Sequence, residues 1–121
     1  MVLLTKAIRE ALIRNHQATC QAEGRGESVD HWPAVKLFTP WAGGTWLLTE
    51  LDEAGDQLFG LCDLGLGFPE LGYVSLAELE GLRGPGGLRV ERDRYFEASA
   101  PLSAYAEAAR VAERIVEPAS G

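Results

Sequence analysis

The stretch TWLLTELDEAGDQLFGLCD, residues 45–63, decides the fold. Two apolar runs flank a short Asp/Gly turn, DEAGD, which is the pattern of a β-hairpin. A turn centred near Ala54 pairs Asp63 with Thr45, Leu61 with Leu47 and Phe59 with Thr49. Upstream, VKLF (35–38) runs into Pro40 and reads as a short strand. Downstream, GLGFPELG (65–72) reads as a loop whose glycines are free to take positive φ, and GYVSL as a further strand. Ser75 with Glu78 three residues later forms a capping box. It opens a short helix over 76–82, stopped by Gly81 and Gly84. LRVERDRYF (88–96) reads as an edge strand.

Helical periodicity frames this centre. Leu4, Ile8, Ala11, Leu12 and Ala18 recur at three- and four-residue spacing, opposite Lys6, Arg9, Glu10 and Arg14. Thr5 is the expected N-cap, and Gly24 and Gly26 end the helix. Residues 1–23 therefore form an N-terminal helix, and 24–34 an exposed connector. At the other end Leu102, Tyr105, Ala109, Ala112 and Val116 make an apolar stripe, widened by Ala104, Ala108, Val111 and Ile115. This predicts a long helix over 101–117, ended by Pro118. The expected architecture is α+β. A small antiparallel sheet over 35–98 is built on the central hairpin and packed by the C-terminal helix, all within a single domain spanning 1–121.

Charge limits the partners. The 121 residues hold 18 Asp and Glu against 11 Lys and Arg, a net charge of -7. Broad binding to nucleic acid or to anionic membranes needs clustered cations, so neither is expected. From Leu37 to Leu82 there are eight carboxylates and no Lys, Arg or His. Four of them, Glu50, Asp52, Glu53 and Asp56, form an acidic face on the hairpin. Such a face suits a protein partner with a basic surface.

Other chemistry is sparse. Cys20 and Cys62 show no C-x-x-C spacing and read as free thiols, which implies a reducing compartment. No secretory segment is visible in MVLLTKAIREALIRN, and no run approaches the roughly 20 apolar residues of a membrane span. A cytoplasmic location is expected. GLGFPELG and GPGG match neither a phosphate-binding loop nor a dinucleotide fingerprint, and no cofactor or metal site is expected. His16, on the helix, and His31, in the connector, have no neighbouring Cys or Ser and carboxylate arrangement that would make a triad. Trp32, Trp41 and Trp46 all suit stacking on bases or a ligand, with Trp46, in a strand, expected in the core and Trp41 exposed. Arg83, Arg89, Arg92 and Arg94 form either a phosphate patch, a closure onto the acidic centre or a guarded strand edge.

The hairpin register carries Asp63 to the end away from its turn, towards Trp41, Thr45 and the loop bearing Glu70. Trp41, Thr45, Asp63, Glu70 and Tyr73 are the binding candidates, with Asp63 and Glu70 the catalytic ones. Two adjacent carboxylates hold a divalent cation or act as an acid/base pair. The plainer alternative is that Asp63 bonds its own turn and Glu70 is solvated.

VKLFTPWAGGTWLLTELD, then FGLCDLGLGFPELGYVSLAELE, then RYF and PLSAYAEAA resemble the uncharacterised bacterial family called domain of unknown function 2958, over residues 32–114. Lys36, Trp41, Trp46, Asp63, Pro69, Glu70, Gly72 and Tyr73 are the residues most distinctive of the resemblance. It supplies no catalytic residue. It implies an accessory protein of plasmids and other mobile DNA, acting in DNA handling or host defence. Two functions follow as expectations: a binding protein for a basic partner, or a metal-assisted hydrolase or nuclease using Asp63 and Glu70.

Overall fold

The computed structural model describes residues 2–119. In chain order it contains α1 (Lys6–Gly24), β1 (Val35–Phe38), β2 (Thr45–Leu51), β3 (Gln57–Asp63), β4 (Glu70–Ser75), α2 (Leu76–Gly81), a 3-10 turn (Pro85–Gly87), β5 (Glu91–Arg92) and α3 (Leu102–Ala112). The strands form one antiparallel sheet in the order β4-β3-β2-β1-β5. The α+β architecture read from the sequence is the one observed.

Local signals set the helix starts. Thr5 Oγ1 accepts from the Ile8 N–H, and Ser75 Oγ accepts from the Glu78 N–H at 3.2 Å. Asp56 adds a second hold on α2, taking the Ala77 N–H and the Ser75 hydroxyl on its two oxygens. The hairpin turn is thereby tied to the start of the helix that follows β4.

Alternation along the strands makes two cores. Val35, Leu37, Trp46, Leu48, Leu51 and Leu58 face α2 and the N-terminal half of α1, meeting Leu12, Leu76 and Leu79. Leu47 and Leu61 point to the other face, against Leu102, Tyr105 and Ala109 of α3. β1 ends in register at Val35 opposite Leu48, so the last residues of β2 have no strand on that side. α1 lies there instead. Asn15 Nδ2 donates to the Thr49 carbonyl at 2.9 Å, and an edge acceptor that no strand reaches is satisfied.

The hairpin keeps the expected register from Thr45↔Asp63 to Leu48↔Gly60, then shifts. Glu50, not Thr49, stands opposite Phe59. The extra residue makes a β-bulge at Thr49, whose hydroxyl donates to the Phe59 carbonyl. Gly60 permits it: a Cβ there would sit 2.0 Å from the Leu47 oxygen and 2.8 Å from the Leu48 Cα.

Three further expectations are corrected. α3 ends at Ala112, not near Glu117, because Glu113 takes the left-handed conformation at φ 61. The chain turns back there to meet Asp63, Ser99 and Tyr105. β4 begins at Glu70, so it absorbs the end of the segment read as loop. The arginine strand pairs only over Glu91–Arg92. Arg92 does not close onto the acidic centre; its Nη1 donates to the carbonyls of Val2 and Leu3.

Gly60→Ala drives a methyl into the β2 backbone and is expected to lower stability by about 3 kcal/mol, read as a fall in the urea midpoint.

Candidate functional site

Asp63 and Glu70 do not meet. Residues directly opposite in an antiparallel pair share a face. Glu70 lies opposite Cys62, and Asp63 follows Cys62 in the strand, so the two carboxylates leave the sheet on opposite sides. Asp63 is 4% exposed and committed to structure. One oxygen accepts from the Gly65 N–H at 2.8 Å, bonding its own turn, and the other from the Ile115 N–H at 3.1 Å. Glu70 is exposed. Among the described residues no three His, Cys, Asp or Glu side chains gather as a ligand set for a metal.

The rest of the expected rim also disperses. Trp41 is half-buried against the first core, and its ring occupies the space a Cβ on Gly84 would need, with 2.2 Å to the nearest ring atom. Thr45 stands with Asp63 on the α3 face. Tyr73 lies at the far end of β4, opposite Phe59. Trp46 is in the core as expected, and Trp32 is the exposed indole. A hollow of about 550 Å³ between Leu3 and the segment 87–91 is lined by Glu80, Arg89 and Glu91 as well as apolar residues, and Arg89 donates to the Glu80 carbonyl.

A different set converges. α1 passes the open side of β2 and brings His16, Thr19 and Glu23 over the sheet. The bulge turns Glu50 onto the same face as Phe59 and Tyr73. With Asp52 and Gln57 these residues line a cleft of about 240 Å³. Glu50 is its centre. Thr19 Oγ1 donates to Glu50 Oε2 at 3.0 Å, and His16 Nδ1 lies 3.4 Å from Glu50 Oε1. The Thr19 proton is thus used, so its oxygen accepts from His31 Nε2 at 2.8 Å. A carboxylate only accepts, which assigns the His16 proton to Nδ1 and leaves Nε2 to accept from the Cys20 thiol at 3.5 Å.

Cys20, His16 and Glu50 therefore stand in the relation that the sequence reading denied to the histidines. The signal was present: His16 and Cys20 are four apart on a helix and share a face. Glu50 was visible only as an acid. The arrangement sets an imidazole beside a thiol without making an acyl-transfer centre. Cys20 sits inside α1, where the backbone N–H groups are taken by the helix and are not free to hold an oxyanion.

The acids of the hairpin have structural duties. Asp52 Oδ1 accepts from the Asp56 and Gln57 N–H groups, and these bonds, the one to Asp56 foremost, hold its carboxyl below the usual range against some desolvation. Its folded pKa is depressed, so its contribution to stability is present above the unfolded carboxylate value and is lost as pH falls through the folded one. Asp56 caps α2. Glu50 is bonded by α1. Glu53 and Glu23 are exposed, and neither side chain bonds another described residue. These partners are amide, hydroxyl and imidazole donors. They satisfy the oxygens and leave most of the negative charge uncancelled. Arg9 comes near the turn, its Nη1 3.1 Å from where a Cβ on Gly55 would stand.

The chain belongs to a family described as "Protein of unknown function (DUF2958)", whose model matches residues 3–116. No curated protein and no solved structure matches it. Among the described residues no helix is long and apolar enough to cross a membrane.

Two measurements check the site. Asp63→Ala removes an acceptor from two backbone N–H groups and is expected to cost about 2 kcal/mol, with faster amide exchange at Ile115. Exposed Cys20 is expected to react with an aromatic disulfide reagent well before Cys62, whose thiol pKa is raised by burial.

Proposed function

We propose that this member of the family acts by binding, its acidic cleft receiving Lys or Arg side chains from a protein partner. The observation that carries this reading is the composition of the cleft. It holds three carboxylates, Glu23, Glu50 and Asp52, two aromatic rings and no Lys or Arg. Phe59 and Tyr73 lie 5.0 Å apart between ring centroids, tilted at 54°, and offer π-faces beside the carboxylates. A guanidinium is weakly hydrated, planar and held by both features at once. Phosphate is repelled by the same surface, which disfavours direct binding of nucleic acid.

The partner's setting is the finer part of the proposal. A cytoplasmic accessory role on plasmids or other mobile DNA, in DNA handling or host defence, brings the protein among strongly basic DNA-binding proteins. Two free thiols suit a reducing compartment. The hydrolase alternative loses its basis with the separation of Asp63 and Glu70 across the sheet.

The test spares the carboxylates that hold the fold together. The immobilised protein should retain basic proteins from its host's lysate, and the retention should fall steeply with salt. Glu23→Lys with Glu53→Lys should weaken it about a hundredfold while the thermal midpoint stays within a few degrees. The same proteins held equally well by the double variant would overturn the reading.

A further inference from the structure

The two edges of the sheet are built differently. β5 is two residues long, Glu91 and Arg92, with Arg89, Asp93 and Arg94 beside it. Short length and alternating charge are how proteins keep an edge from pairing. β4 at the other edge has six residues, Glu70–Ser75, and a single charge at its start. Its outward side chains include Leu71, 50% exposed, and Tyr73, 67% exposed, and Phe68 just before it is 78% exposed. Among the described residues no group outside β3 bonds the main chain of Glu70–Val74. Every second residue of such a strand turns its N–H and C=O outward, unpaired. A cation, a proline or a bulge would guard this edge, and β4 has none of them.

The surroundings of β4 say what it would accept. Tyr73 is a wall of the acidic cleft, and a second hollow that shares Tyr73 and Gln57 with it continues past Val74 and Ser75 to Asp56 and Glu78. The C-terminal end of β4 is therefore apolar close to the strand and acidic just beyond it. Glu70 makes the other end acidic too. A second copy of this chain is a poor occupant. Antiparallel pairing of two β4 strands would bring Glu70 of each copy towards the Asp56 and Glu78 end of the other, with like charges opposed.

We propose that β4 takes an extended basic segment of the partner as a sixth strand. The segment pairs its backbone with the free edge and lays a Lys or Arg along the Tyr73 ring, the charged head turned to the Glu23 and Asp52 carboxylates. Affinity then comes from main-chain hydrogen bonds and sequence preference from the alternate side chains. This rests on the reading of the cleft as a receptor for basic side chains and adds the form in which those side chains arrive.

The test selects peptides from a random library displayed on phage, with the full chain as bait. Enriched peptides should carry a Lys or Arg between apolar or β-branched residues. In the synthetic peptide, N-methylation of one alternate set of residues should weaken binding by at least about tenfold, and methylation of the other set should leave it unchanged, because only one set faces the edge. Amide exchange in β4 should slow on binding. If both methylated forms bind like the parent while Glu23→Lys with Glu53→Lys abolishes binding, strand addition is wrong and the acidic cleft stands. If peptides pair with β4 without preference for Lys or Arg, the charge reading fails and this proposal with it. No enriched peptide, or β4 amides already slowed by self-association in the peptide-free chain, overturns it as well.

Discussion

One inserted residue governs what this molecule presents. The bulge at Thr49 shifts the hairpin register after Leu48, and a shift of one residue exchanges the faces of everything beyond it. Without it Glu50 would enter the core beside Leu12 and Leu58, and Leu51 would turn to the opposite face. With it Leu51 is fully buried and Glu50 joins Phe59 and Tyr73, within reach of Thr19 and His16. Gly60 is the condition for the bulge, since any side chain there collides with the β2 backbone. α1 then fixes the arrangement through Asn15 and the Thr49 carbonyl.

The acids of the hairpin show how structure and charge part company. Asp52 and Asp56 hold a turn and a helix cap, and Glu50 is held by α1, so these residues serve the fold. Neutral donors such as amides and hydroxyls complete a carboxylate's hydrogen bonds and leave its field in place. One set of residues can thus organise the hairpin and still make the surface negative. The acidity that looks like spare surface charge in the sequence is built in.

What was legible followed from local chemistry. Thr5, the Ser75–Glu78 pair, the DEAGD turn and the period of the apolar residues each act within a few positions, and the elements they mark are present. The register held as far as Leu48. A lone glycine in a strand, Gly60, was the available sign of the bulge. The misses depend on distant partners. The apolar stripe of α3 continues to Val116, but the helix stops at Ala112, and the chain beyond is tied back by Asp63, which accepts from Ile115, and by Glu117, which accepts from Ser99 and Tyr105. No window around Asp63 contains Ile115, and none around Arg92 contains Leu3. The cleft was invisible for the same reason: α1 and the hairpin meet only after the sheet has formed.

The order of the strands carries a kinetic consequence. β1 to β4 lie side by side in the sequence in which they are made, so each ladder closes a short loop and the sheet grows by successive hairpins. Only β5 must return past the others to pair with β1, and Arg92 then clasps the carbonyls of Val2 and Leu3. The β1–β5 ladder, two residue pairs long, is also the shortest in the sheet. Opening of that ladder breaks fewer backbone pairs than opening of the central hairpin and so costs less.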